Sequence, residues 1–204
     1  MKINELIKVL SNNIIYINKK VKRHILINFI IKIISYILLY YIINISKEEI
    51  SNKIIMIAEG VGDNTILNSR FGPIPDVILI NNAPQEIYDD HYYVYELNEP
   101  INNITFIWNY QITDCSYMFN EIYCAISLDF SYFDTSSVVD MNHMFSGCLN
   151  LISLNLKNFD TSLVTDMSYM FHLCYSLNNL DVSNFKTSLV TNMNNIFSDC
   201  SLLK

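Results

Sequence analysis

A thirteen-residue stretch returns three times in the second half of the chain. It reads FDTSSVVDMNHMF from Phe133, FDTSLVTDMSYMF from Phe159 and FKTSLVTNMNNIF from Phe185, and these equally spaced copies define a 26-residue period. Periods of roughly 20–29 residues are typical of stacked repeats, because one unit is too small to bury its own apolar face. The sequence therefore predicts repeats that pack on one another.

Many other positions keep the same period. We expect equivalent side chains to lie in parallel columns, because successive units of such an array lie flat against each other. The aligned sets are Phe119, Phe145, Phe171 and Phe197; Leu128, Leu154 and Leu180; Met141, Met167 and Met193; and Cys148, Cys174 and Cys200.

Each unit contains the spacing of a leucine-rich repeat. In the second unit this is Leu151, Leu154 and Leu156, which match the LxxLxL pattern. Alternation along a strand puts the last two leucines on one face and the residue between them on the other. The pattern predicts an α/β repeat fold, a short leucine-rich-repeat solenoid, with a binding surface on the outward face. The residues expected on that surface are Asp129, Asn155 and Asp181.

The return side of each unit allows two interpretations. Val164, Met167, Met170, Phe171 and Cys174 follow a helical spacing. One interpretation is a full helix that begins at Ser162. The other is a short extended piece over 164–167, followed by a two-turn helix.

The repeat resembles that of the BspA-like leucine-rich-repeat surface proteins. FDTSLVTDMSYMFHLC, followed by SLNNLDVSNFKTS, carries the resemblance, which covers residues 113–204. It implies a secreted or cell-surface protein that binds other proteins or host surfaces, with no defined catalytic residue, and it favours the second interpretation of the return side. Arrays of that family often have many units, whereas this one has about three and a half, which indicates a truncated array.

The first fifty residues have a different character. Residues 1–24 are expected to form a short basic tail that ends in KKVKR, and 25–46 to form an N-terminal hydrophobic helix. A span of about 20 apolar residues can cross a bilayer, but Lys32 interrupts this one. The run without a charged residue, Ile33–Ile43, has the length of a signal-peptide core. The segment is thus a transmembrane signal-anchor or a signal peptide, and a buried core helix is the remaining alternative.

The basic flank predicts the orientation of the chain. Positive charge stays on the cytoplasmic side, so residues after Ser46 are expected to face the lumen or the outside. If the segment is retained, the chain contacts the membrane through residues 25–45. The predicted location is the cell surface or the secreted fraction.

Residues 50–112 are predicted to form a small β-rich unit. Short β-branched and aromatic runs alternate there with turn residues such as Gly60-Val61-Gly62 and Asn98-Glu99-Pro100. Asn103-Ile104-Thr105 is a glycosylation sequon, which makes Asn103 a candidate for modification.

Charge argues against nucleic-acid binding. Residues 54–204 contain four basic and 17 acidic side chains. Nucleic-acid affinity depends on Lys and Arg that neutralise phosphates, so this surface would repel a phosphate backbone.

The cysteines indicate no metal site and no cofactor. The chain has five cysteines and no CxxC pair, whereas a structural zinc site needs ligands paired closely in sequence. The cysteine column is expected to be apolar filling. If one disulfide forms, the pairing we nominate is Cys124 with Cys148.

These observations predict an interaction or adhesion scaffold without catalysis, whose partner is a protein or cell-surface ligand. Two alternatives are a truncated array without a function of its own and, less favoured, an enzyme with a site in the β-rich unit.

Overall fold

The 26-residue period corresponds in the structure to a ladder of backbone hydrogen bonds between repeats. The computed structural model describes residues 52–87 and 93–204, all of which belong to one compact unit, Ile50–Lys204. Four stretches of turn, residues 114–121, 140–147, 166–173 and 192–199, recur at the sequence period. We call them the turn segments.

Eight strands precede or join these turn segments. Their bounds are β1 Asn52–Glu59, β2 Gly62–Thr65, β3 Val77–Ile80, β4 Ala83–Pro84, β5 Val94–Leu97, β6 Ile101–Ile107, β7 Ala125–Phe133 and β8 Ser153–Asn155. Six of them form a mixed sheet in the order β4-β3-β6-β1-β7-β8, and β2 pairs with β5 in a separate two-stranded sheet.

Strand β1 shows why the sheet has one buried face and one open face. Its residues alternate, so that Ile54, Met56 and Ala58 are fully buried while Ile55 and Ile57 are half-buried. This period of two puts alternate side chains on opposite faces. The buried side packs on the aromatic residues Phe106 and Trp108, which stack at 6.1 Å.

The repeats are continuous with the sheet. Strand β7 pairs with β1 in antiparallel register and with β8 in parallel register, where Leu128 faces Leu154. The pairing of β1 with β7 therefore joins the two sequence units predicted on either side of residue 112.

Backbone N–H groups hold one turn segment on the next. In the second segment the N–H groups of Met141, His143, Phe145 and Gly147 donate to carbonyls of the third segment, at 2.8–3.0 Å. The N–H of Thr165 donates back to the carbonyl of Val139 at 2.9 Å. The same pattern joins the first segment to the second and the third to the fourth. Each interface is thus made of backbone bonds that any residue except proline could form.

The predicted α/β leucine-rich-repeat solenoid is wrong. Residues 52–87 and 93–204 contain strands and turns but no helix, and β7 and β8 belong to a mixed sheet with β1 and β6. The fourth and eighth residues of every turn segment have positive φ, for example His143 at 54° and Gly147 at 74°. A regular right-handed helix does not contain such residues, and alternate N–H groups of each segment are bonded to the next repeat. Both helical interpretations of the return side therefore fail.

The predicted N-terminal helix, residues 25–46, lies outside the described residues, as does the basic tail 1–24. Within the two described ranges, no helix is long and apolar enough to cross a bilayer.

The aligned phenylalanines form a continuous stack in the core. The rings of Phe119, Phe145, Phe171 and Phe197 are nearly parallel, with centroids 6.2, 5.6 and 5.5 Å apart in turn. Phe171 is fully buried, whereas Phe197 at the end of the stack is 40% exposed. Offset aromatic pairs of this kind add to the stabilisation that burial provides.

A buried threonine explains the repeated FDTS motif. The hydroxyl of Thr161 donates to the carbonyl of Lys186 at 3.0 Å and accepts from the N–H of Lys186 at 2.7 Å. Thr135 makes the same two bonds with Asp160. One side chain thus bonds both polar groups of a backbone unit in the following repeat, and an unpaired polar group at such an interface would be destabilising.

We predict that Phe171→Ala lowers the free energy of unfolding by roughly 3–5 kcal/mol, because it empties a fully buried aromatic site between two rings. Phe197→Ala is the matched control and should cost clearly less, since one side of that ring is exposed. Urea denaturation followed by circular dichroism measures both. Equal losses for the two variants would contradict the stacked arrangement.

We predict that Thr161→Val destabilises the fold by about 1–3 kcal/mol, because it leaves the backbone N–H and carbonyl of Lys186 without their partner. Thr187 occupies the equivalent position in the next unit and is exposed, so Thr187→Val should change stability by less than about 0.5 kcal/mol. The same denaturation assay compares them. An inert Thr161→Val variant would exclude the proposed role of the hydroxyl.

Candidate functional site

The structure brings together two of the three residues predicted on the outward surface. Asp129 on β7 and Asn155 on β8 are directly paired in the parallel ladder. Asp181 is exposed but lies in a segment without strand structure. The sheet ends at β8, which is its edge strand. The predicted column therefore continues over two repeats as a sheet surface and not over three.

Asp129 and Asn155 belong to a wider surface that crosses four strands. Thr105, Ile55, Asp129 and Asn155 are register partners along one row. Asn103, Ile57, Ser127 and Ser153 are partners along the neighbouring row. Register partners point to the same side of a sheet, so these eight residues form one surface, which we call the open face.

A hydrogen-bond network makes one side of the open face rigid. The Nδ2 of Asn155 donates to Oδ1 of Asp129 at 2.9 Å and to Oγ of Ser131 at 2.7 Å. The hydroxyl of Ser131 donates to the same Oδ1 at 2.6 Å. Three side chains from two repeats are therefore held in one arrangement.

An aromatic side chain lies at one end of the open face. The ammonium group of Lys53, on β1, is 4.4 Å from the ring centroid of Tyr132, a cation–π contact. Tyr132 is 53% exposed. Exposed tyrosines beside flat polar surfaces are common anchors in protein interfaces.

Asn103, the glycosylation candidate, is exposed on β6 within the open face. Its backbone N–H is bonded to Oδ1 of Asn81 at 2.9 Å, and its side chain points outward. A glycan at Asn103 would therefore stand on the open face, and its attachment remains a prediction.

The cysteines are free thiols in the structure. The thiol of Cys148 donates to the carbonyl of Phe119 at 3.0 Å, and that of Cys124 to the carbonyl of Thr65 at 3.3 Å. Burial raises the pKa of Cys148 to about 12 and that of Cys124 to about 11. Both groups are thus uncharged donors near neutral pH, and the proposed pairing between them remains a prediction. In the described ranges no three His, Cys, Asp or Glu side chains are grouped to bind a metal ion.

Three aromatic rings from successive repeats form a second stack, which the sequence analysis did not predict. His143 lies between Tyr117 and Tyr169, with both ring centroids 4.7 Å away. The pKa of His143 lies below the usual value for histidine, mainly because the ring is partly removed from water. The signal was present in the sequence, because these three rings share one position of the 26-residue period.

A comparison with known protein families identifies a match. The model of a family described as "Mycoplasma protein of unknown function, DUF285" matches residues 94–204, which include β5 to β8 and all four turn segments. No curated protein and no solved structure matches the chain.

We predict that the free energy of unfolding falls as pH rises above about 9. The thiol of Cys148 ionises near pH 9 in the unfolded chain but only near 12 in the folded one, so the folded state holds more protons between these values. Below pH 9 the thiol is neutral in both states and stability does not depend on it. At pH 10 it is mostly ionised in the unfolded chain, which lowers the free energy of unfolding by roughly 1 kcal/mol.

Urea denaturation at pH 7 and pH 10 with a reducing agent measures this effect. Cys148→Ala should show a smaller loss between the two pH values than the unaltered chain. The two proteins would show the same pH dependence if the thiol were accessible to water.

Proposed function

The chain belongs to the DUF285 family, and from this premise we propose that it is a secreted or cell-surface protein that binds a partner protein through its open face. The family is one of unknown function, so the residues of this chain carry the argument. The resemblance of the repeat to that of BspA-like surface proteins supports the location.

The open face is the observation that carries the proposal. Its outward residues are mostly serine, threonine, asparagine and aspartate, with Ile55 and Ile57 half-buried in the middle. Short side chains on a sheet lose little conformational entropy when a partner covers them. The backbone ladder and the Asp129–Asn155–Ser131 network keep this surface in place before a partner arrives.

The edge of the open face offers further contacts. β8 is the last strand of the sheet, and Ile152, which precedes it, is 51% exposed. A partner that covers the open face would contact Tyr132 at one end. The partner is expected to be a protein and not a nucleic acid, since residues 54–204 carry a large excess of acidic groups.

Binding without catalysis is the function that this surface fits best. A catalytic site usually needs convergent polar groups in a pocket, with shifted pKa values. The open face is instead a sheet surface on which the Asp129 carboxylate accepts bonds from its neighbours.

Photo-cross-linking in intact cells tests the proposal. The full chain carries a photoreactive amino acid either at Ser153, on the open face, or at Ser188, an exposed serine outside the sheet. A membrane-impermeant biotin reagent should label the protein, and a discrete partner should be cross-linked from Ser153 and not from Ser188.

The identified partner then provides a binding assay. Ser153→Arg should weaken the complex at least tenfold, about 1.4 kcal/mol, whereas Ser188→Arg should leave it unchanged. Recovery of the protein inside the cells, protected from the biotin reagent and not in the medium, would disprove the proposed location. Cross-links of equal yield from both positions would disprove the role of the open face.

A further inference from the structure

A second candidate site lies away from the open face, where β2 meets the first turn segment. A cavity of about 370 Å³ is lined there by Asp63 and Thr65 from β2, Asn68 from the following loop, and Asn120, Glu121 and Tyr123 from the first repeat. Its size lies within the range of roughly 300–1,000 Å³ that small-ligand pockets occupy.

Hydrogen bonds between the two walls hold this cavity open. The backbone N–H of Asn68 donates to the carbonyl of Met118 at 3.1 Å, and its Nδ2 donates to the carbonyl of Asn120 at 2.8 Å. On the other side the thiol of Cys124 donates to the carbonyl of Thr65 at 3.3 Å. The cavity is therefore formed before any ligand enters it.

Two carboxylates, those of Asp63 and Glu121, line the cavity. Asp63 and Glu121 are exposed carboxylates, and within the described ranges neither forms an ion pair with a basic side chain. Asn120 is only 6% exposed, and its Nδ2 donates to the carbonyl of Ser146 at 3.0 Å. No donor to its Oδ1 is among the described contacts, and Asn120 lines the cavity.

These groups occur together only in the first repeat. Glu121 is replaced by Gly147, Leu173 and Asp199 at the equivalent positions, and Asn120 by Ser146, His172 and Ser198. Glu121 has a φ of 60°, a conformation that glycine adopts at 147 and that favours glycine sterically. The Cγ of Glu121 lies over Gly147 of the second repeat, where a Cβ would come within 3.0 Å of it.

We propose that this cavity binds a primary ammonium group, independently of the function proposed for the open face. An ammonium group has three donors and no acceptor, which matches two carboxylates and the Oδ1 of Asn120. Charge-assisted bonds to carboxylates are stronger than neutral ones. Tyr123, 53% exposed at the cavity, offers a ring face for a cation–π contact. The ammonium group belongs either to a free organic amine or to a lysine side chain of another protein.

Titrations followed by NMR on the full chain test this site. The probes are cadaverine for a free amine and Nα-acetyl-lysine methylamide for a lysine side chain, with Nα-acetyl-norleucine methylamide as the uncharged control. Either amine should shift the signals of Asn68, Asn120 and Tyr123, and the norleucine probe should not. Cadaverine alone would indicate a free amine as ligand, and binding of the lysine probe would indicate a protein partner.

Variants separate the cavity from general acidic attraction. Asp63→Asn and Glu121→Gln should each weaken amine binding at least about tenfold. Asp134→Asn is the matched control, because Asp134 follows the far end of the nine-residue strand β7 while Cys124 precedes its start. It should change the dissociation constant less than about twofold.

Unchanged circular dichroism spectra and melting temperatures would show that the variants are folded. Equal binding of the norleucine probe, equal weakening by Asp134→Asn, or no shift around Asn120 would each overturn the proposal. None of these results bears on the open face, which the Ser153 experiments test separately.

Discussion

The hydrogen bonds between successive turn segments are the constraint on which the rest of the structure depends. Alternate N–H groups in one segment donate to carbonyls of the following segment, and the intervening N–H groups close short turns within their own segment. The positive φ at the fourth and eighth residues of every segment makes this alternation possible. Once the backbones are bonded in this way, side chains one sequence period apart must lie beside each other.

The repeated residue types serve the contact between units. The phenylalanine stack fills the core, the buried threonines bond to the next backbone, and the cysteine thiols of Cys148, Cys174 and Cys200 donate to carbonyls of the preceding unit. Function is therefore expected where the units differ from one another. The acceptor groups around Asn120 and Glu121 are such a place, and the open face is another, because only two repeats contribute strands to it.

The sheet that β7 and β8 share with the first strands provides a surface beside the stacked repeats. β1 lies between β6 and β7, and its alternation leaves Ile55 and Ile57 at the middle of a four-strand face. Asp129 is held at that face by Asn155 and Ser131.

The sequence by itself determined the period, the residues that share a column, and the pairing of Leu128 with Leu154. It also put Asp129 and Asn155 on one outward face, because alternation along a strand is local. The sequence could not show that β1 joins β7, because the pairing of strands so distant along the chain depends on which edges meet in the folded protein. The helical spacing at Val164–Cys174 misled for a related reason. The same periodicity suits stacked turns, and only contact with the next repeat decides where each N–H group finds its acceptor.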